Sequence, residues 1–155
     1  MVHHRYMDNS RSARERLIDA ATRLLAEHPH AEPTTRELYE AAGVTAPTLY
    51  HHFGDKDGLI DVVLDEVFAR YLVHKHAVAR SGDLIADFAA GWDMHIRFGV
   101  ENPVLYKVMH GTSRSRRARA AQVAEEELLR ELNQLAERGL LNMAPQQAAA
   151  ATLAA

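Results

Sequence analysis

An all-α fold is what this sequence predicts, and three features carry the prediction. Apolar residues recur at i, i+3, i+4 and i+7, the spacing that lines one face of a helix; Leu17, Ala20, Ala21, Leu24 and Leu25 are the first such set. Capping residues precede these runs and glycines such as Gly43, Gly54, Gly111 and Gly139 end them, as helix ends require. No alternating apolar stretch is long enough for a strand, and no internal repeat is visible.

Taken in order, Met1 to Ser10 is polar and aperiodic and is expected to be disordered. Residues 12–27 form a first amphipathic helix, with Arg14, Arg16, Arg23 and Glu27 opposite the apolar face, and Pro29 and Pro33 punctuate the link to the second helix. Thr34 or Thr35 can cap a short helix over 36–42, and Glu37 stands three residues after Thr34, where a capping box closes. Gly43 makes a sharp turn and Val44 plugs the angle between two helices. Thr45 caps again, Pro47 is tolerated in the first turn, and the helix runs over 48–53 to Gly54.

Residues from 55 to about 80 read as one long helix, opened by Asp-Lys-Asp and carrying Ile60, Val63, Leu64, Val67, Phe68 and Tyr71 at helical spacing. Ser81-Gly82-Asp83 breaks it. The next helix, over 84–99, places Ile85, Phe88, Ala89, Trp92 and Ile96 on one face, with Met94 and His95 beside them. A short helix over 104–109 ends at Gly111, and a seventh over 114–138 turns Val123, Leu128, Leu132 and Leu135 inward. Pro145 opens an alanine-rich last helix.

Composition narrows the function. A chain of 155 residues is long enough for one or two helical domains. It has no cysteine, so a disulfide framework and a thiolate metal site are both ruled out and a reducing cytoplasm is the expected compartment. No apolar run approaches the ~20 residues that cross a bilayer, so no membrane partner is expected. The ten histidines invite a metal site. Their spacing does not: His28/His30 and His74/His76 are i,i+2 pairs that point to different helix faces, and His51/His52 are adjacent. No metal, cofactor or catalytic residue is expected.

The pair of short helices joined at Gly43 forms a helix-turn-helix, whose second helix leaves Thr48, His51 and His52 with little to bury; such a face enters the major groove of DNA. The string TTRELYEAAGVTAPTLYHHFGDKDGL resembles the DNA-binding half of the TetR (tetracycline-repressor-like) transcriptional regulators, with cap, turn glycine, Leu-Tyr pair and downstream lysine at the family's spacing. RFGVENPVLYKVMHG resembles a segment of that family's effector domains. One residue departs: Tyr39 stands where the family has a small alanine, so its ring is expected to splay the two helices or swing to their edge.

The resemblance implies a three-helix DNA-binding domain over 11–56 and a helical ligand-binding and dimerisation domain over 57–155, opened by the connecting helix, in a chain that reads as truncated or short at its C-terminus. It implies a repressor that binds a palindromic operator in double-stranded DNA as a homodimer and is released by a small-molecule effector. An activator or architectural helix-turn-helix protein without an effector is the alternative. An enzyme using His95, His110 and Glu101 is the rival from another class; no paired nucleophile and base, phosphate loop or metal spacing supports it.

Residue by residue, Arg36 matches a family position that reaches a base edge from the helix before the turn, against the plainer reading of a solvated ion pair with Glu40 at i+4. Thr35, Thr45, Ala46, Pro47, Thr48 and His51 match the recognition surface, where methyl and ring carbons suit thymine methyls and hydroxyls serve a base or phosphate. Tyr50 and Lys56 match backbone clamps that meet phosphates without reading sequence. His51 and His52 add charge toward phosphates when protonated.

Net charge is −3, and the first 56 residues carry seven cations (Arg5, Arg11, Arg14, Arg16, Arg23, Arg36, Lys56) against eight acids (Asp8, Glu15, Asp19, Glu27, Glu32, Glu37, Glu40, Asp55), so any basic surface is local. Trp92, His95, Phe98, Tyr106, Met109 and His110 are the candidate lining of the effector pocket, apolar with a few polar groups. Arg114, Arg116, Arg117 and Arg119 stand at the wrong end of a helix for its dipole and read as a solvated loop.

Overall fold

A computed structural model describes residues 11–111 and 119–153; the expectations for Met1 to Ser10 and for Arg114, Arg116 and Arg117 lie outside them. Eight helices make up the described chain: α1 (Ala13–Glu27), α2 (Thr35–Ala42), α3 (Ala46–Phe53), α4 (Lys56–Ala77), α5 (Leu84–Glu101), α6 (Pro103–His110), α7 (Arg119–Glu137) and α8 (Pro145–Leu153).

The ends of these helices derive from their sequence. Glu15 N–H donates to Ser12 Oγ at 3.2 Å while Ser12 N–H donates to Glu15 Oε2 at 2.7 Å. Thr34 and Glu37 repeat the same reciprocal box at 3.2 and 2.7 Å. Gly43 then takes the left-handed conformation, φ 64° and ψ 38°, that reverses the chain into α3. Thr45 differs from the expectation. It stands at the N-cap but makes no side-chain cap bond. Pro47 in the first turn has no N–H to offer, and the Thr45 hydroxyl lies instead 3.0 Å from that of Thr48.

α1, α2 and α3 pack on the first half of α4 around Leu17, Ile18, Ala21, Leu38, Leu49, Leu59, Ile60 and Val63, all buried. Tyr39 is half-buried, and the turn beside it is intact, with Val44 N–H donating to Tyr39 O at 3.0 Å. The same core continues past Phe68 to Phe98 of α5, to Leu105 and Met109 of α6 and to the first turns of α7. A second cluster joins Leu128, Leu132 and Leu135 of α7 to Ala148 and Ala149 of α8, with Leu84 and Phe88 of α5 against it.

α5 presents a different face from the one its sequence suggests. Ile85 and Ile96 are 56% and 43% exposed, while Gly91 and Phe98 are buried and Phe88, Trp92 and His95 half-buried. The helix carries two apolar stripes, and periodicity alone does not choose between them. The stripe ending at Phe98 won because that ring meets Phe68 edge-on, centroids 5.5 Å apart, and lies 5.0 Å from Tyr71.

α4 spans the whole arrangement. Its Asp65 carboxylate accepts from Ala120 N–H at 2.9 Å, satisfying a donor in the first turn of α7. Further along the helix, Lys75 makes an ion pair with Glu131 of α7 at 2.8 Å, both side chains only 11% exposed. His76 Nε2 lies 3.0 Å from Glu127 Oε2, and Arg130 contacts the same carboxylate.

Candidate nucleic-acid interface

α3 is held by one side and free on the other. Leu49 is fully buried and Phe53 packs behind it under the Arg14 guanidinium, 5.4 Å from the ring centre. Tyr50, His51 and His52 are exposed, as are Thr45 and Pro47, while Ala46 and Thr48 are partly covered. The His51 and His52 rings meet edge to face with centroids 5.1 Å apart. On α2, Thr35 is partly covered at the first helical position and Arg36 is 77% exposed.

The candidate base-reading and phosphate-meeting residues therefore share one end of the molecule. Its charge is more muted than the cations alone suggest. Arg36 Nε donates to Glu40 Oε1 at 2.7 Å, and Lys56 Nζ lies 3.0 Å from Glu32 Oε1. Arg11 is likewise paired with Asp19. The Lys56 partner was invisible in the sequence, because Glu32 lies before α2 and reaches Lys56 only once α2 and α3 have folded between them. Holding Lys56 where α3 meets α4 is the corner itself: Gly58 N–H donates to Asp55 Oδ1 at 2.7 Å, and a Cβ on Gly58 would stand 2.1 Å from Phe53 O.

The six candidate pocket residues do not wall a single cavity. Trp92 and His95 line a small cavity of about 30 Å³ between α4, α5 and α7, together with Tyr71, Lys75, Glu127 and Glu131. Phe98 lines a more open groove of about 560 Å³ between α4 and α5, with Val67, Tyr71, Met94 and Arg97. Met109 is core, 3% exposed. The Tyr106 and His110 rings lie tilted against each other, centroids 4.4 Å apart, and meet His95 at 5.6 and 6.0 Å, an aromatic cluster behind the small cavity.

The interior around that cavity is electrostatically tuned. Burial, with His110 and Lys75 nearby, lowers the His95 pKa from 6.5 to about 4, so this imidazole is neutral at neutral pH. Burial and the carboxylates of Glu131 and Glu127 push the Tyr71 phenol up, and its hydroxyl has no hydrogen-bond partner among the described residues. Tyr71, Lys75, Glu127 and Glu131 were not legible as cavity residues in the sequence; polar residues at i,i+4 carry no mark that they will be buried against a distant helix. Among the described residues no group of three or more His, Asp or Glu is placed to hold a metal ion.

A capped helix, a left-handed glycine turn and a second helix exposing tyrosine and histidine on a shared core define a helix-turn-helix DNA-binding domain. The family model described as bacterial regulatory proteins, tetR family, matches residues 17–63, the stretch that runs from α1 into α4.

Its curated relatives are named as repressors. The HTH-type transcriptional repressor KstR2 of Rhodococcus jostii is 37% identical over 62 residues, covering 37% of this chain and 30% of the relative. The class D tetracycline repressor protein of Escherichia coli is 35% identical over 88 residues, 57% of this chain and 39% of the relative. The matched stretch thus spans well under half of either relative. Among solved structures, the fatty acid degradation regulator FadR from Bacillus halodurans superposes with a TM-score of 0.65 over 92% of this chain and 80% of its own, at 18% identity. AibR, in complex with isovaleryl coenzyme A and operator DNA, gives 0.59 over 92% and 83%, at 17% identity. These likenesses extend the shared fold beyond the DNA-binding domain to the later helices.

Proposed function

We propose that the protein is a cytoplasmic transcriptional repressor that binds a palindromic operator as a homodimer and lets go when a small molecule enters among α4, α5 and α7. The observation that carries the reading is the outer face of α3, with Tyr50, His51 and His52 exposed and Thr48 partly so while Leu49 and Phe53 pack inward, beside Arg36 of α2. Residues 11–56 are the reader in this proposal, and residues 57–155 the effector and dimerisation half.

α4 supplies the coupling. Its first half buries Leu59, Ile60 and Val63 against the reader, and its second half carries Tyr71 and Lys75 into the cavity. A ligand that wedges between α4 and α7 moves the helix on which the reader rests, and a coupling of ~1–3 kcal/mol is enough to change operator occupancy many-fold. That a structural neighbour was solved with both an acyl coenzyme A and operator DNA supports the two-site arrangement.

The test is selection of duplexes from a random pool by the purified protein at near-physiological salt. Enrichment of a palindrome with half-sites about one helical turn apart, ~34–36 Å, is expected. A pool that stays random overturns the reading.

A further inference from the structure

Arg36 and Glu40 form their ion pair in the orientation that helps a helix least. Arg36 stands in the first turn of the eight-residue α2 and Glu40 in its last, so each charge lies at the helix end whose partial charge repels it. The reverse order, acid before base, is the one that stabilises helices. Both side chains are mostly in water, 77% and 54% exposed, where an isolated pair contributes little to folding. A carboxylate on the face turned to DNA also opposes phosphate binding. Stability and affinity both argue against Glu40 at this position, so its use is to be sought in geometry.

That geometry is specific. The Arg36 Nε–H donates to Glu40 Oε1 at 2.7 Å. Of the five N–H donors of a guanidinium, this occupies the one on the ε edge and leaves the Nη1 and Nη2 groups at the tip. Those two present a parallel pair of donors, the match for guanine O6 and N7 in the major groove. A side chain with many rotamers is thereby held with its plane set before DNA arrives.

We propose that Glu40 is a positioning residue for base reading: it fixes the ε edge of Arg36 so that the tip of the guanidinium reads a guanine in the operator half-site. This rests on the DNA-reading function proposed above. It places an Arg36-dependent guanine in each half-site.

The experiment compares wild type, Arg36→Ala, Glu40→Ala and Glu40→Gln, full length, on the selected operator and on the same duplex with 7-deazaguanine at the Arg36-dependent position, which removes the N7 acceptor. Wild type is expected to lose about tenfold in affinity on the substituted duplex. Arg36→Ala loses almost nothing further. Glu40→Ala binds random DNA more tightly, having shed an acid, yet no longer distinguishes the two duplexes. Glu40→Gln, which keeps an acceptor for Nε without the charge, retains most of the discrimination.

If Glu40→Ala tightens binding to both duplexes equally and keeps the tenfold difference, Glu40 is only a local charge and the inference fails while the DNA-reading function stands. A selected site with no Arg36-dependent guanine also overturns it. A wild-type pool without enrichment removes the function and the inference together.

Discussion

On the proposed function, Arg36 and Lys56 separate two jobs that a DNA-binding surface must do. Arg36→Ala should relax sequence preference at one position of the half-site. Lys56→Ala should weaken all duplexes about equally and lower the slope of log affinity against log salt by about one, as the loss of one phosphate contact does. Titration of operator and scrambled duplexes at several salt concentrations distinguishes the two. Deeper in the molecule, His95 makes stability depend on pH. Its pKa is about 4 folded against 6.5 ordinarily, so between those values the unfolded chain binds the extra proton. Its contribution is intact above pH 6.5 and is lost as pH falls toward 4. The melting temperature should therefore drop as pH is lowered from neutral through this window, and His95→Phe should reduce that drop.

Among the elements, the corner between α3 and α4 is the least forgiving. Gly58→Ala drives a Cβ into the Phe53 carbonyl, 2.1 Å away, where the obstacle is backbone and does not swing aside. Destabilisation of at least ~1–3 kcal/mol is expected from the forced shift, and weaker operator binding with it, since α3 and Lys56 are both set by this corner. Urea unfolding and a binding isotherm on the same sample check both. Gly43→Ala acts by another route, strain at φ 64° with open space around it, and should cost about 1–2 kcal/mol without moving its neighbours. Both glycines stand in the sequence, but only Gly43, between two capped runs, announced its turn. Gly58 read as an ordinary residue inside a long helix, because the carbonyl it must clear comes from the preceding helix.

For the whole molecule, the junction of α4 with α7 is where the proposed coupling between reader and cavity is tested. The Lys75–Glu131 pair is nearly enclosed, so Lys75→Met leaves a buried carboxylate without its partner and should cost ~3–5 kcal/mol, whereas the double change Lys75→Met with Glu131→Leu should recover most of it. Denaturant titration of wild type and the two variants measures the difference. The double variant, stable but with an apolar junction, is also the one in which effector release should be altered.

The sequence by itself determined the all-α class, most helix boundaries to within a residue or two and the two short helices joined at Gly43, because caps, turn glycines and helical periodicity are local and each acts within a few residues of where it is written. Only the tertiary structure decided which stripe of α5 is buried, that Glu32 holds Lys56, and that the six candidate pocket residues divide between a cavity, a groove, an aromatic cluster and the core. Those outcomes depend on which surfaces of distant segments meet, and a helix with two apolar stripes is neutral between its faces until a partner helix is placed against one of them.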